Sequence, residues 1–451
     1  MALPCDESVS VIKVSAKSRL VLLSLQLVAN GLIPDHESAD AFVHRLEDKL
    51  PTTGTDRLIY HVFSGLNRWD SQYYTTIAYN GYDREEFLAF FPLFPLLVRQ
   101  LATILWSIQH LSTDRTFVSY YSLILLSSFA LNFGLFILTA LVLYKLTAKL
   151  FADRSMAANV VHWFSYNPSS VFFSSSYSES LFAFLTFSGI YLTHLSDKSH
   201  HLMMASALFG LSSATRSNGI ISIGFVLYKQ LNRILNECFA ENGRFVLKKN
   251  WCQRLAINLL LSISLVIICL LPFISYQLYA YQLYCRDSDH PKVWCGHSIP
   301  LSYSYVQSQY WNVGFLQYYH LRQIPNFLLA FPIIVLNLKT CVTYLLLNSH
   351  RIVSIVCRRP QQRHKKCDSV LKNDMCFVHI IHTLCLTMFC VLFVHIQVTT
   401  RMLMSCTPLV YWAVESVEVK RRKRVNDLIH LWFYGYFIIG TILHSNFLPF
   451  T

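Results

Sequence analysis

Apolar stretches recur along the whole chain and are separated by short polar breaks, with no long polar linker between them. Those at 18–34, 117–148, 157–175, 178–195, 255–284, 325–347, 376–397 and 428–447 approach the ~20 apolar residues that carry a helix across a bilayer. Shorter runs at 202–214, 217–229 and 402–417 each abut a polar residue suited to a helix turn. Together they predict an all-α polytopic membrane protein of about eleven transmembrane helices. No repeat of roughly 20–50 residues and no heptad pattern breaks this reading, which excludes solenoids.

Composition agrees. Of 451 residues, 53% are hydrophobic and only 14% charged, more apolar surface than a soluble chain of this length buries, so 1–451 reads as a single integral membrane domain. The net charge of +13 does not point to nucleic acid, because the basic residues form short clusters flanking apolar spans. Such clusters mark the cytoplasmic side. With Lys13, Lys17 and Arg19 placed in the cytosol and sides alternating, the basic loop 350–375 and Lys420 to Arg424 also fall there. The other side receives a large first loop, 35–116, a second loop, 285–324, and the breaks at 174–179, 215–218 and 399–401.

Thirteen cysteines lack CxxC spacing, and most fall inside spans as apolar fillers. Cys285 and Cys295 differ, because they bracket a polar hairpin on the non-basic side, where a local disulfide fits. His379 and His382 sit within a span without a nearby carboxylate and read as structural histidines, so no metal site is expected.

The candidate chemistry lies on the non-basic side. Asp70, in Asn67-Arg68-Trp69-Asp70, is either a turn aspartate paired with Arg68 or a reactive carboxylate. Glu85 and Glu86 follow a turn and precede Phe90-Phe91-Pro92-Leu93-Phe94-Pro95, which suits either an interfacial helix guiding a lipid tail or core packing. Arg216 and Arg401 each sit between short apolar pieces. An arginine at membrane depth faces a cavity, a partner or a ligand, and two guanidiniums match the oxygens of a phosphate; snorkelling or pairing with Glu179 is the other reading. Tyr310-Trp311-Asn312 mixes aromatic and amide groups, a composition that suits a sugar and also decorates membrane interfaces.

Taken in order, Trp69-Asp70, Phe90 to Pro95, Asn167-Pro168, Tyr177-Ser178-Glu179-Ser180, Thr215-Arg216-Ser217-Asn218-Gly219, Tyr310 to Gly314, Ile324-Pro325-Asn326 and Thr400-Arg401 resemble the GPI mannosyltransferase 2 (PIG-V) family. The loop 350–375 and the start of the first polar loop depart from that pattern. The resemblance implies a GT-C-type enzyme of the endoplasmic reticulum membrane with its active site in the lumen. It would transfer the second mannose, α-1,6-linked, from dolichol-phosphate mannose to the mannosylated glucosaminyl-phosphatidylinositol acceptor. A small accessory membrane subunit is left open, and no cofactor is implied, since the dolichol donor is a substrate.

Granted that substrate class, a β-linked donor and an α product require inversion in a single displacement. Asp70 is then the candidate general base, with Glu86 and Glu179 as secondary acids. Arg216 and Arg401 are candidates for the donor phosphate, and Arg68, Trp69, Asn218, Tyr310, Trp311 and Asn312 for other substrate contacts. Two alternatives from other classes remain at this point: a transporter or flippase for an anionic lipid or solute, and a noncatalytic membrane scaffold.

Overall fold

The computed structural model describes residues 5–36, 53–112, 117–241, 244–245, 248–286, 292–352, 370–418 and 423–450. The parts of the expected loops at 37–52, 113–116, 287–291 and 353–369, and most of the basic cluster at 420–424, lie outside these residues.

Helices dominate the described residues, whose only strands form a two-residue ladder pairing 240–241 with 244–245. In chain order they are α1 (Cys5–Leu32), α2 (Gly54–Ser64), α3 (Ser71–Asn80), α4 (Leu93–Ser112), α5 (Tyr120–Phe151), α6 (Arg154–Ser165), α7 (Glu179–Leu195) and α8 (Ser199–Ser213). Then come α9 (Ile223–Ile234), α10 (Trp251–Tyr281), α11 (Ser302–Trp311), α12 (Ile324–Leu347), α13 (Phe377–Phe393), α14 (Thr399–Cys406), α15 (Leu409–Glu418) and α16 (Lys423–Ser445). Among the described residues, five helical stretches are long and apolar enough to cross a membrane: Tyr120–Phe151, Trp251–Arg286, Leu321–Leu347, Asp374–Phe393 and Arg424–Ser445.

Local signals explain the boundaries. Ser119 caps α5 by accepting from the Ser122 N–H at 3.2 Å, and Asp153 caps α6 by accepting from Met156 at 3.0 Å. Gly210 lets α8 approach α10 closely, because a Cβ there would lie 2.8 Å from the Ile268 carbonyl oxygen. That approach falls one turn before Pro272, which interrupts α10. The outward face of α10 is left apolar, with Leu260, Ile263, Ile267, Leu271 and Leu278 exposed. On a membrane helix such a face meets lipid.

Several expected spans take a different form. The 157–175 stretch is not one helix: α6 ends at Ser165, and a 3-10 turn at Ser170–Phe173 follows. Pro168 accounts for the break, since it disfavours helix in the residue before it. The 217–229 piece is a 3-10 turn, Ser217–Ser222, leading into α9, and the 402–417 piece divides into α14 and α15 at Pro408.

The larger correction concerns α1, which starts at Cys5, well before the apolar run near 18. Arg19, expected in a cytosolic N-terminal segment, is therefore inside the protein and fully buried. Its guanidinium donates to the Ser165 and Ser170 carbonyls at 2.8 and 2.9 Å and to the Ser170, Ser174 and Ser18 hydroxyls at 3.0, 3.1 and 3.2 Å. Those bonds satisfy all five N–H donors with neutral oxygens. They fasten the serine-rich segment between α6 and α7, whose far end carries Glu179.

Candidate active site

Four charged side chains from distant parts of the sequence meet at helix beginnings. Asp70 is the N-cap residue of α3, Glu179 the first residue of α7, Arg216 precedes the Ser217–Ser222 turn, and Arg401 is in the first turn of α14. Arg401 donates from NH2 to Asp70 Oδ2 at 2.8 Å, and its Nε lies 3.9 Å from Glu179 Oε1. Arg216 NH1 pairs with the same Glu179 oxygen. The result is a chain Asp70–Arg401–Glu179–Arg216 in which two carboxylates balance two guanidiniums. A cation at the start of a helix opposes its dipole; for Arg401 the two adjacent acids offset that cost.

Local structure fixes each member. Asn167 accepts from the Ser169 N–H and hydroxyl, both at 2.9 Å, and closes the turn after α6. Asn132 on α5 donates to the Ser175 and Tyr177 carbonyls at 2.6 and 3.0 Å, and Tyr74 of α3 meets the Ser178 hydroxyl at 3.0 Å. These bonds set the entry to α7. Gly219 is required for the turn that presents Arg216 and Asn218, since a Cβ there would fall 2.5 Å from the Ser213 nitrogen. Trp69, just before Asp70, adopts φ 56°, a left-handed conformation costly for a bulky residue. Its ring lies edge-on to Phe447 at 6.0 Å.

A cavity of about 230 Å³ opens beside this chain. Asp70, Arg216 and Arg401 line it, together with Trp69, Asn218 and Trp311. Asp70 keeps 34% of its side-chain surface exposed, whereas the Glu179 side chain has none. Glu179 is thus placed behind the two arginines rather than in the cavity. Phe90 and Phe91 also line it, from the bend between the Glu85–Ala89 turn and α4, while Phe94 packs into the core. Asn218 donates to Cys406 Sγ at 2.9 Å, which ties this loop to α14.

Other expected residues go elsewhere. Arg68 does not orient Asp70: it binds Asp35 at 2.8 Å, Asn30 at 3.0 Å and the Ser445 carbonyl at 3.2 Å, and so ties the ends of α1 and α16 together. Glu86 pairs with Arg84 at 3.4 Å and does not line the cavity. Tyr310 donates to Glu85 at 2.9 Å, which Trp294 also reaches at 2.9 Å. Burial and that carboxylate push the Tyr310 phenol up to about 12. Asn312 is exposed and adopts φ 51° as the C-cap of α11. Cys285 and Cys295 form a disulfide, with Cα atoms 5.6 Å apart, closing the loop that carries Trp294.

Among the polar lining residues that sequence reasoning missed are His395 and Gln397. Both were counted inside an apolar span ending at 397, but α13 stops at Phe393, and a short link then leads into a 3-10 turn at Ile396–Val398. The signal was there in the polar pair itself. Burial holds the His395 imidazole below its usual range, against the opposing pull of the Trp311 carbonyl and Asp70.

Residues 8–451 match the family described as Mannosyltransferase (PIG-V). The chain belongs to the PIG-V mannosyltransferase family. It is therefore a glycosyltransferase, and the transporter and scaffold readings fall away. The chain is 34% identical to GPI mannosyltransferase 2 of Drosophila pseudoobscura pseudoobscura, covering 98% of this chain and 99% of that one. It is 32% identical to GPI alpha-1,6-mannosyltransferase 2 of Cricetulus griseus and 30% identical to that of Homo sapiens, with 98% of each chain covered. Among solved structures it is similar to an Archaeoglobus fulgidus oligosaccharyltransferase at 13% identity and a TM-score of 0.42, over 96% of this chain and 53% of that one.

Proposed function

We propose that this PIG-V mannosyltransferase transfers the second, α-1,6-linked mannose of the GPI precursor from dolichol-phosphate mannose, with Asp70 as general base. The observation that carries the proposal is the meeting of Asp70, Arg216 and Arg401 around one cavity. The linkage is that of the relatives, GPI alpha-1,6-mannosyltransferase 2 of Cricetulus griseus and Homo sapiens. In the step proposed, one Asp70 carboxylate oxygen accepts the proton of the acceptor 6-hydroxyl while Arg401 holds the other. The hydroxyl oxygen attacks the anomeric carbon from the face away from the phosphate. As the new C–O bond forms, the bond to the phosphate oxygen breaks, and dolichyl phosphate leaves with the electron pair.

Arg216 and Arg401 stabilise the charge that grows on this leaving group, so no general acid is needed. The leaving group is already a phosphate anion, unlike the alkoxide of a glycoside hydrolase. Glu179 keeps the guanidiniums in place and takes no proton. The same reading places the enzyme in the endoplasmic reticulum membrane as a GT-C-type fold of about eleven crossings, with the cavity facing the lumen. The Cys285–Cys295 disulfide supports the luminal side, because disulfides persist in oxidising compartments.

The test is second-mannose addition by microsomes from a cell deficient in this activity, comparing the intact protein with Asp70→Asn. Restored transfer by the intact protein and loss with the variant is the expected result. Full activity in the variant removes Asp70 as the base. No transfer by a well-expressed intact protein overturns the acceptor and donor assignment.

A further inference from the structure

The proposed chemistry uses the charged part of the cavity and leaves the neutral lining formed by Trp311, His395 and Gln397 without a role. That lining is built rather than incidental. The His395 ring stacks on Tyr318, with centroids 4.5 Å apart and planes at 26°. A neutral imidazole that donates through one nitrogen presents the other as an acceptor.

Gln397 is held by the same tyrosine. The Tyr318 hydroxyl lies 2.9 Å from Gln397 Oε1 and 2.7 Å from Gln323 Oε1, and accepts from Asn326 Nδ2 at 2.8 Å. Asn326 Nδ2 also donates to Gln323 Oε1 at 2.6 Å, which fixes the orientation of Gln323. A phenol has one proton, so it can be given to only one glutamine at a time. When Gln397 receives it, the Gln397 NH2 is left to donate; when Gln323 receives it, Gln397 can turn its NH2 towards the phenol oxygen and leave its carbonyl to accept. In either arrangement one end of the amide is left over, and a sugar hydroxyl, which both donates and accepts, matches both.

We propose that His395 and Gln397 form the acceptor-sugar subsite, holding hydroxyls of the acceptor's terminal hexose and thereby setting which hydroxyl is presented to Asp70. The subsite rests on the transfer reaction proposed above. Uncharged hydrogen-bonding groups beside an aromatic face suit a neutral sugar, while the donor phosphate belongs on the two guanidiniums. The acceptor is assigned here, rather than the donor phosphate, because His395 and Gln397 are uncharged and line the same cavity as Asp70. The base must meet the acceptor hydroxyl.

The test uses the purified full-length protein in detergent, labelled dolichol-phosphate mannose and the mannosylated glucosaminyl-phosphatidylinositol acceptor. His395→Phe keeps the stacking on Tyr318 and removes the ring nitrogens; Gln397→Leu keeps the length and removes the amide. Each is expected to raise the acceptor KM roughly three- to tenfold, the scale of one lost hydrogen bond, and to leave the donor KM within about twofold. A series of monodeoxy acceptors gives a second readout. The hydroxyl that meets Gln397 is the one whose removal weakens binding to the unaltered protein and adds nothing further to Gln397→Leu.

The thermal transition of each purified variant reports whether it is folded, and if one is not, the other decides. Failure of the unaltered protein to transfer mannose overturns the reaction. Transfer with unchanged acceptor KM in a folded variant, or with the donor KM raised instead, overturns the subsite alone.

Discussion

Asp70 and Glu85 are fifteen residues apart in one polar segment, each beside aromatic residues, yet they end in opposite environments. Asp70 is met by a guanidinium at 2.8 Å and keeps 34% of its side-chain surface open beside a cavity. Glu85 is met by the Trp294 and Tyr310 donors, with Lys292 at 3.8 Å, and keeps 9%. Around Glu85, Leu88, Phe91, Tyr276 and Val306 complete a small apolar core. The first carboxylate can reach a substrate. The second satisfies the buried Trp294 indole and the exposed Tyr310 hydroxyl, and joins the 3-10 turn at Glu85–Ala89 to the disulfide-closed loop. What separates a reactive acid from a structural one here is the partner supplied by distant sequence, not the neighbouring residues.

Removing the two charges one at a time should break the comparison most sharply. Asp70→Asn is expected to lower kcat by about 10²–10⁴-fold, the usual contribution of a positioned base, with expression and detergent stability unchanged. The corresponding Glu85→Gln keeps an acceptor for the Trp294 indole and can turn its NH2 to the Tyr310 hydroxyl oxygen, so it should retain kcat within about tenfold. If microsomal transfer assays show the reverse ranking, the acids have been assigned the wrong way round.

Arg401→Ala comes next. It removes a stabiliser of the leaving phosphate and the partner of Asp70 together, so a loss of about 10²–10³-fold in kcat is expected, the scale of one missing charge-stabilising donor. Arg401→Lys keeps the charge but cannot span two carboxylates with a planar fork. It should recover part of the loss, most clearly in the donor KM. Equal activity of the lysine and alanine variants would show that charge at this position does not act on the donor.

Arg216 and Arg401 were legible in the sequence because each interrupts an apolar run, where a polar residue needs a reason. Asp70 lies in the polar first loop and was singled out by the aromatic residues beside it and by the family resemblance. The long spans were equally legible: α5, α10, α12, α13 and α16 each overlap a stretch read from hydropathy. What hydropathy could not give was the partner of each polar group. Arg68 was assigned to Asp70 from adjacency, but two residues apart in a bend they diverge, and Asp35 and the end of α16 claim the guanidinium. Arg19 looked cytosolic because it follows Lys13 and Lys17; four of its five hydrogen bonds go to serines about 150 residues later, which no local pattern reveals. His395 and Gln397 were hidden by a helix end four residues earlier than the apolar run suggested.

The smallest effect expected sharpens the same contrast from the structural side. Tyr310→Phe removes the hydroxyl that donates to Glu85 and leaves Trp294 as its aromatic donor. A hydrogen bond to a charged group contributes about 1.5–3 kcal/mol when buried. Tyr310 itself is 46% exposed, so water can replace part of the bond and a loss near 1 kcal/mol is expected. A thermal shift of the purified protein measures it, and KM for both substrates should stay unchanged. A Tyr310→Phe variant with normal stability and a raised acceptor KM would instead place this tyrosine on the sugar, and the division between a catalytic and a structural acid would then have to be drawn elsewhere.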